Sequence, residues 1–131
     1  KALALGADAV SIGTAALIAI GDNDPKWEKE YKDLGTVPGA YDSWHEGHDP
    51  AGITTQDPEL TARLNPINAG KLLSNYLKVM TLEAQTIARA CGKNHVHNLE
   101  PEDLCALTIE AAAMAGVPLA GTDWVPGSGS F

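Results

Sequence analysis

Residues 6–21, GADAVSIGTAALIAIG, constrain the fold more than any other part of this 131-residue chain. Residues 9–12 form a short run with β-branched members between Asp8 and Gly13, a pattern that predicts a strand buried on both faces. From Thr14 onward, alanine, leucine and isoleucine favour a helix, with Thr14 as its N-cap. The stretch therefore predicts a strand that runs into a helix, and with it an α/β fold.

The corner between this strand and this helix suits a phosphate group. Gly13 lets the backbone turn and lets a ligand approach closely. The first N–H groups of a helix have no intrahelical acceptor, so they can bind an anion. In (βα)8 barrels, phosphate sites of this kind lie in the loops after the last strands. The alternative is an ordinary strand-to-helix corner in an α/β core, and the pattern alone does not separate the two.

The start of the chain is typical of the last turns of a helix, which ends at Gly6. A single parallel strand also needs neighbouring strands, and the rest of the sequence does not supply them. We therefore expect these residues to be the C-terminal piece of a longer protein. The sequence contains no signal peptide and no apolar run of about 18 residues, the length that a transmembrane helix needs.

The amino-acid composition limits the kinds of partner that the chain can bind. A net charge of −8 argues against nucleic acid and against an anionic membrane surface, because both attract basic patches. Cys91 and Cys105 lie in helix-like runs and are interpreted as buried thiols in a reducing compartment. We expect a cytoplasmic protein, with a disulfide between the two cysteines as the less favoured alternative.

Residues 22–56, called here the 22–56 segment, differ in character from the rest. They include three prolines and two of the three tryptophans, without a long apolar period. The pattern predicts an irregular connection with one short helix over residues 24–34. Connections of this length are usually functional or docked on a partner. Trp27, Trp44 and Trp124 would either stack on a flavin or, as we prefer, pack against a partner surface.

Residues 57–116 are predicted to be mostly helical. Asp57 is an N-cap followed by Pro58 at the first helical position. Apolar residues at three- and four-residue spacing then predict a long helix over residues 67–90, capped by Asn68.

A further helix is predicted over residues 101–116, with Asn98 or Glu100 before it and Pro101 in its first turn. Residues 117–131 are rich in glycine and proline and are expected to form an extended tail.

Histidines near carboxylates raise the question of a zinc site. His45, His48 and Asp49 lie in a glycine-rich stretch without a fixed helical face, and His95 and His97 have no evident third ligand. We interpret these histidines as loop or capping residues and predict no metal site.

Four motifs carry a family resemblance. Residues 6–21 and the run PAGITTQDPEL at residues 50–60 resemble the FMN-binding synthase domain of glutamate synthases. The runs HVHNLEPEDL at residues 95–104 and AMAGVPLAGT at residues 113–122 are similar to shorter glutamate-synthase-like proteins, most closely the large subunits of N-methylglutamate synthases. The resemblance covers nearly the whole chain and is weakest over residues 22–47.

The resemblance implies an FMN-binding (βα)8 barrel of which this chain is the C-terminal part. Residues 1–21 would then hold the last barrel strand, and the N–H groups of Gly13, Thr14 and Ala15 would bind the FMN phosphate. Ser11 would line the flavin pocket. In such enzymes, nitrogen comes from a glutaminase subunit or an amine, and reduced FMN reduces an imine to form glutamate or N-methylglutamate. The implied partners are the remainder of the barrel and the glutaminase-like and other subunits of a hetero-oligomer.

One departure from the family concerns an iron–sulfur cluster. Glutamate synthases place three cysteines before the run that begins at Pro50, and the matching positions here fall near Asp22 and at Trp44 and Asp49. None of them is cysteine, and such clusters need thiolates or, rarely, histidines. We expect no cluster in this chain.

Two other functions stay open at this stage. One is a helical docking or structural module that binds a partner subunit through residues 22–52 and Trp124. The other is a family member that has lost its redox activity with the cluster. The catalytic residues of the enzyme are expected outside this chain, so none is named.

Overall fold

The computed structural model describes residues 1–40 and 47–128, and the chain divides into two compact units. One unit is Ile12–Met80; the other combines Lys1–Ser11 with Thr81–Phe131. The α-helices are α1 (Thr14–Ala19), α2 (Glu28–Asp33), α3 (Pro58–Thr61), α4 (Pro66–Ala90) and α5 (Ile109–Ala115), and short 3₁₀ turns lie at Pro25–Trp27, Val96–Asn98 and Pro101–Asp103.

The strand predicted at residues 9–12 is not formed. Among the described residues there is no β-strand, and the β-type pairing seen is an isolated parallel bridge between Ala106 and Leu119. A strand needs a neighbour for its backbone hydrogen bonds, and the described residues offer none to residues 9–12. The helical part of the expected architecture is present, whereas residues 1–40 and 47–128 show no barrel.

The N-cap of α1 lies one residue earlier than the sequence predicts. Gly13 is the N-cap, without a side-chain cap, and Thr14 is the first helical residue. The Thr14 hydroxyl instead donates to the carbonyl oxygen of Gly39 over 3.4 Å. The prediction of Thr14 as N-cap was therefore wrong, because its side chain has an acceptor in a distant segment.

The short helix predicted over residues 24–34 is confirmed. The Asp24 carboxylate accepts the N–H of Lys26 over 3.1 Å and so caps the turn Pro25–Trp27, which leads directly into α2. On α2, the ion pairs Lys29–Asp33 and Lys32–Glu28 are exposed and have the four-residue spacing that stabilises isolated helices.

α3 and α4 both begin at an Asx-Pro pair. Asp57 caps α3 by accepting the N–H groups of Glu59 and Leu60 over 2.8 and 3.0 Å. Asn65, not the predicted Asn68, caps α4: its side-chain oxygen accepts the Asn68 N–H over 3.0 Å. The long helix predicted over residues 67–90 is confirmed as α4.

The helix predicted over residues 101–116 is interrupted. It consists of the turn Pro101–Asp103 and of α5, which Thr108 caps by accepting the N–H of Ala111 over 3.2 Å. Between them, Ala106 is extended and exchanges backbone hydrogen bonds of 2.8 Å with residues Pro118 and Ala120. This pairing supports a small core, formed by Ala106, Ala112 and Val117 with Leu104 and Leu119 packed against it.

The cysteines are less buried than predicted. Cys91 is half-buried and Cys105 is exposed, and both are free thiols. The interpretation of Cys105 as a buried thiol was therefore wrong for this chain. In the described part of the chain, no helix has the length and apolarity to cross a membrane.

Replacement by alanine should change the stability in opposite directions at Gly52 and at Gly70. Gly52 has a φ of +75°, and a Cβ there would overlap the carbonyl oxygen of Leu60, so Gly52→Ala should lower the free energy of unfolding by roughly 3 kcal/mol. Gly70 lies within α4 with open space around it, so Gly70→Ala should raise that free energy by about 0.5–1 kcal/mol. Chemical denaturation of the full-length protein measures both. A Gly52→Ala variant as stable as the parent protein would contradict the described turn.

Candidate functional site

The predicted phosphate corner is open and exposed. Gly13 and Thr14 are exposed, Ala15 is half-buried, and among the described residues no acceptor is within reach of the N–H groups of Thr14 and Ala15. Gly13 has a φ of −121°, outside the left-handed region, and a Cβ built on it would meet no atom within 4 Å. Neither backbone conformation nor packing within the chain requires glycine here, which is compatible with close approach of a ligand.

Ser11, the other predicted flavin-site residue, is exposed and falls in the Lys1–Ser11 part of the other unit. The structure thus brings Gly13, Thr14 and Ala15 together as one corner. The place of Ser11 in a flavin pocket stays a prediction.

The corner contacts the 22–56 segment through Gly39. Besides accepting the Thr14 hydroxyl, Gly39 donates its N–H to the carboxylate of Asp22. Gly39 has a φ of +74°, and a Cβ there would lie 2.6 Å from Cγ2 of Thr14. Only glycine allows both this backbone conformation and this close contact.

Asp22 belongs to a buried polar group that we call the Tyr31 network, which consists of Asp22, Tyr31 and Asp49. The Tyr31 hydroxyl lies 2.7 Å from Oδ1 of Asp22 and 2.9 Å from Oδ1 of Asp49. Relative to full exposure, Tyr31 is 0%, Asp49 1% and Asp22 4% accessible. One hydroxyl on α2 therefore joins two carboxylates that are far apart in the sequence.

Asp49 also organises the turn that follows it. Its Oδ1 accepts the N–H of Ala51 over 3.1 Å, and its Oδ2 accepts the N–H groups of Ile53 and Thr54 over 2.9 and 2.8 Å. The Thr54 hydroxyl donates to the same Oδ2 over 3.1 Å. Both carboxylate oxygens are thus saturated with donors from the chain itself.

These contacts determine the ionisation of the network. Burial acts to raise the pKa of Asp49, but the hydrogen bonds from Thr54, Tyr31, Ile53 and Ala51 outweigh burial and hold this pKa below its usual value. Burial, followed by the two neighbouring carboxylates, raises the pKa of Tyr31 far above its usual range. At neutral pH, the Tyr31 hydroxyl keeps its proton and Asp49 is ionised.

Trp27 packs within its own unit. The guanidinium of Arg63 lies 4.7 Å from the ring centre and the ammonium of Lys26 lies 4.6 Å from it. Arg63 also donates to Glu30 over 2.8 Å and to the carbonyl oxygen of Pro50 over 2.9 Å. These contacts connect α2 and α3 to the turn at Pro50, so Trp27 already has neighbours without a flavin or a partner protein.

His95 matches the capping interpretation. Nδ1 of His95 accepts the N–H of His97 over 3.1 Å and caps the turn Val96–Asn98. In the described ranges, no three His, Cys, Asp or Glu side chains are arranged to hold a metal ion. Trp44 and His45 lie outside the described residues.

Asp49, one of the positions that the resemblance matches to cluster cysteines, belongs to the Tyr31 network, and so does Asp22, near which another of these positions falls. Asp22 and Asp49 use their oxygens as hydrogen-bond acceptors for groups of the chain itself. Sequence reasoning missed the role of Tyr31 and of Gly39. The available signal was the run EKEYKD in α2, where Tyr31 is the sole apolar ring among five charged residues and so marks the buried side of the helix.

Comparison with known proteins supports the family resemblance. The family described as a conserved region in glutamate synthase matches residues 40–94. A glutamate synthase large subunit-like protein of Rhizobium meliloti is 81% identical over 100% of this chain, which spans 30% of that relative. An archaeal-type glutamate synthase [NADPH] of Dehalococcoides mccartyi is 35% identical over 92% of the chain, or 22% of that relative.

An archaeal glutamate synthase [NADPH] of Methanocaldococcus jannaschii is 36% identical over 76% of the chain, or 16% of that relative. No solved structure matches the chain. The chain therefore spans less than a third of the length of these relatives.

The ionisation of Asp49 predicts a pH-dependent effect of its replacement. Because the folded pKa lies below the usual value of 3.8, the carboxylate contributes stability that is fully present above pH values near 4 to 5 and is lost as pH falls through the folded pKa. Asp49→Asn should lower the free energy of unfolding by about 3 kcal/mol at pH 7. The difference from the parent protein should shrink below pH 4.

Chemical denaturation of the full-length protein between pH 3 and pH 8 checks this prediction. Asp33→Asn is the matched control, because Asp33 is exposed and forms a surface pair whose loss should cost less than about 1 kcal/mol. A destabilisation by Asp49→Asn that stays constant down to pH 3 would contradict an ionised, hydrogen-bonded Asp49.

Proposed function

Because the chain belongs to the glutamate synthase family, we propose that it supplies the flavin-phosphate site of a glutamate-synthase-type oxidoreductase. The observation that carries the proposal is the corner of Gly13, Thr14 and Ala15, which is exposed, has N–H groups without acceptors in the described chain, and is unobstructed in front of Gly13. The product would be glutamate or N-methylglutamate. The catalytic residues would lie in the part of the enzyme that this chain does not cover.

The residues of the corner suit FMN. The N–H groups of Thr14 and Ala15 are donors for phosphate oxygens, and the absence of a side chain on Gly13 lets the phosphate approach the backbone. Ser11 precedes this corner and would line the flavin pocket. Bound FMN would supply the electron pair that reduces an imine. This chain would bind and orient the cofactor at its phosphate end.

Electrons would reach the flavin without a cluster in this chain. Asp49, at one of the expected ligand positions, and Asp22, near another, are hard oxygen ligands that already accept hydrogen bonds. We propose that reducing equivalents come from another subunit of a cytoplasmic hetero-oligomer, in which a glutaminase-like subunit supplies nitrogen. The net charge of −8 disfavours nucleic acid and anionic membranes as partners.

The long helix α4 indicates where the remainder of the protein would pack. Apolar side chains along it are exposed, with 74% of Ile67, 55% of Val79, 58% of Leu82 and 60% of Ile87 accessible. The chain corresponds to 30% of the length of the Rhizobium meliloti relative, so the rest of the same protein is the occupant we propose. The same helix also favours a second candidate function, a docking module for a partner subunit.

Replacement of Gly13 tests the flavin function. Gly13→Val should weaken FMN binding by the full-length protein at least tenfold, because a branched side chain would block one or two charge-assisted hydrogen bonds, each worth roughly 1.5–3 kcal/mol. Gly13→Ala should have a smaller effect in the same direction, and Gly70→Ala on α4 is the control that should leave affinity unchanged. Fluorescence titration of the apoprotein measures all of these affinities.

The outcomes separate the candidate functions. Unchanged FMN affinity in a folded Gly13→Val variant would remove the phosphate assignment. A full-length protein that binds no flavin would leave the docking module as the better explanation.

A further inference from the structure

The Ile12–Met80 unit is organised around polar groups. Among the described residues, the largest side chains that are fully buried are those of Tyr31, Asp49 and Pro50. A buried carboxylate destabilises a fold unless hydrogen bonds replace its lost hydration. The conformation of the 22–56 segment therefore depends on the donors that surround its two buried carboxylates.

The Tyr31 hydroxyl lies within hydrogen-bond distance of both carboxylates, which share its single proton. Asp49 has three backbone N–H donors and one hydroxyl besides Tyr31, whereas Asp22 has the N–H of Gly39. Loss of the Tyr31 oxygen would leave Asp22 with less compensation than Asp49 and would remove the connection between them. Such a change should therefore disturb the contacts of Asp22 more than those of Asp49.

From Asp22 the contacts lead to the phosphate corner. One oxygen of Asp22 accepts the Tyr31 hydroxyl and the other accepts the Gly39 N–H. Gly39 in turn accepts the hydroxyl of Thr14, the first residue of α1, and contacts the Thr14 methyl group so closely that no Cβ fits between them. Asp22 is thus the junction between the buried network and the corner.

We propose that Tyr31 is a positioning residue for the phosphate corner, which it holds in place through Asp22 and Gly39 without touching the ligand. This inference rests on the proposed function, because the ligand of the corner is FMN in that proposal. The proposal assigns to the phosphate corner residues that no sequence motif identifies as part of it. Tyr31, Asp22 and Gly39 form one series of contacts that ends at Thr14.

Tyr31→Phe and Asp22→Asn test the two ends of this series in the full-length protein. Tyr31→Phe removes the shared donor. Asp22→Asn keeps an oxygen that can accept the Tyr31 hydroxyl but places an amide group against the Gly39 N–H. It therefore removes the contact to Gly39 while keeping the contact to Tyr31. Each variant should weaken FMN binding about tenfold. Tyr76→Phe, which removes a hydroxyl from α4, is the matched control and should change FMN affinity less than twofold.

A double-mutant cycle distinguishes positioning from general destabilisation. Because both residues act through one series of contacts, Tyr31→Phe combined with Asp22→Asn should bind FMN about as weakly as either single variant. A second readout is independent of FMN: in the apoprotein, Tyr31→Phe should speed tryptic cleavage after the exposed Lys29 and Lys32 at least fivefold, and Tyr76→Phe should not.

Each outcome decides the inference. FMN affinities equal to the parent protein in both Tyr31→Phe and Asp22→Asn, with Gly13→Val still impaired, would overturn the positioning role and leave the proposed function standing. Losses that add in the double variant would also overturn it. If Tyr31→Phe does not fold, normal FMN binding by Asp22→Asn alone would suffice to reject it. A parent protein without FMN binding would end both proposals.

Discussion

The hydrogen bonds of one buried hydroxyl, that of Tyr31, support much of the Ile12–Met80 unit. Its two acceptors, Asp22 and Asp49, come from opposite ends of the irregular 22–56 segment. Around Asp49 the backbone turns so that three N–H groups face one carboxylate, and next to Asp22 the chain at Gly39 approaches α1. A segment with few apolar side chains can hold a defined conformation in this way, because its buried carboxyl groups accept hydrogen bonds from the chain.

The Tyr31 network lies where the sequence lacks the cysteines that the family resemblance predicts. Glutamate synthases are expected to hold an iron–sulfur cluster near the positions of Asp22, Trp44 and Asp49. Here the two described positions contain carboxylates that accept hydrogen bonds from the chain itself. The described part of the segment is therefore held together by a tyrosine and two aspartates, and the proposed flavin site would lie beside this network.

The helices α2, α3 and α4 could be predicted because their signals are local: Asx caps, a proline in the first turn and apolar spacing. Even the missed cap, Asn65, has the same Asx-Pro signal as Asp57. The strand at residues 9–12 could not be confirmed, because strand formation depends on neighbours outside this chain. The break before α5 was missed because Ala106 pairs with a segment twelve or more residues away, and that contact overrides helix propensity. The phosphate corner at Gly13 and Thr14 stays a prediction from a local pattern, whereas the long-range polar contacts of Tyr31 and Gly39 could not be predicted from such a pattern.

The central claim is that this chain binds a flavin phosphate at the corner formed by Gly13, Thr14 and Ala15. A structure of the full-length protein determined with FMN measures this directly. The account predicts phosphate oxygens within about 2.7–3.2 Å of the backbone nitrogens of Thr14 and Ala15, as for N–H···O hydrogen bonds. Residues 9–12 should at the same time pair as a parallel strand with the rest of the protein. An FMN phosphate bound elsewhere, with the N–H groups of this corner facing solvent, would contradict the account.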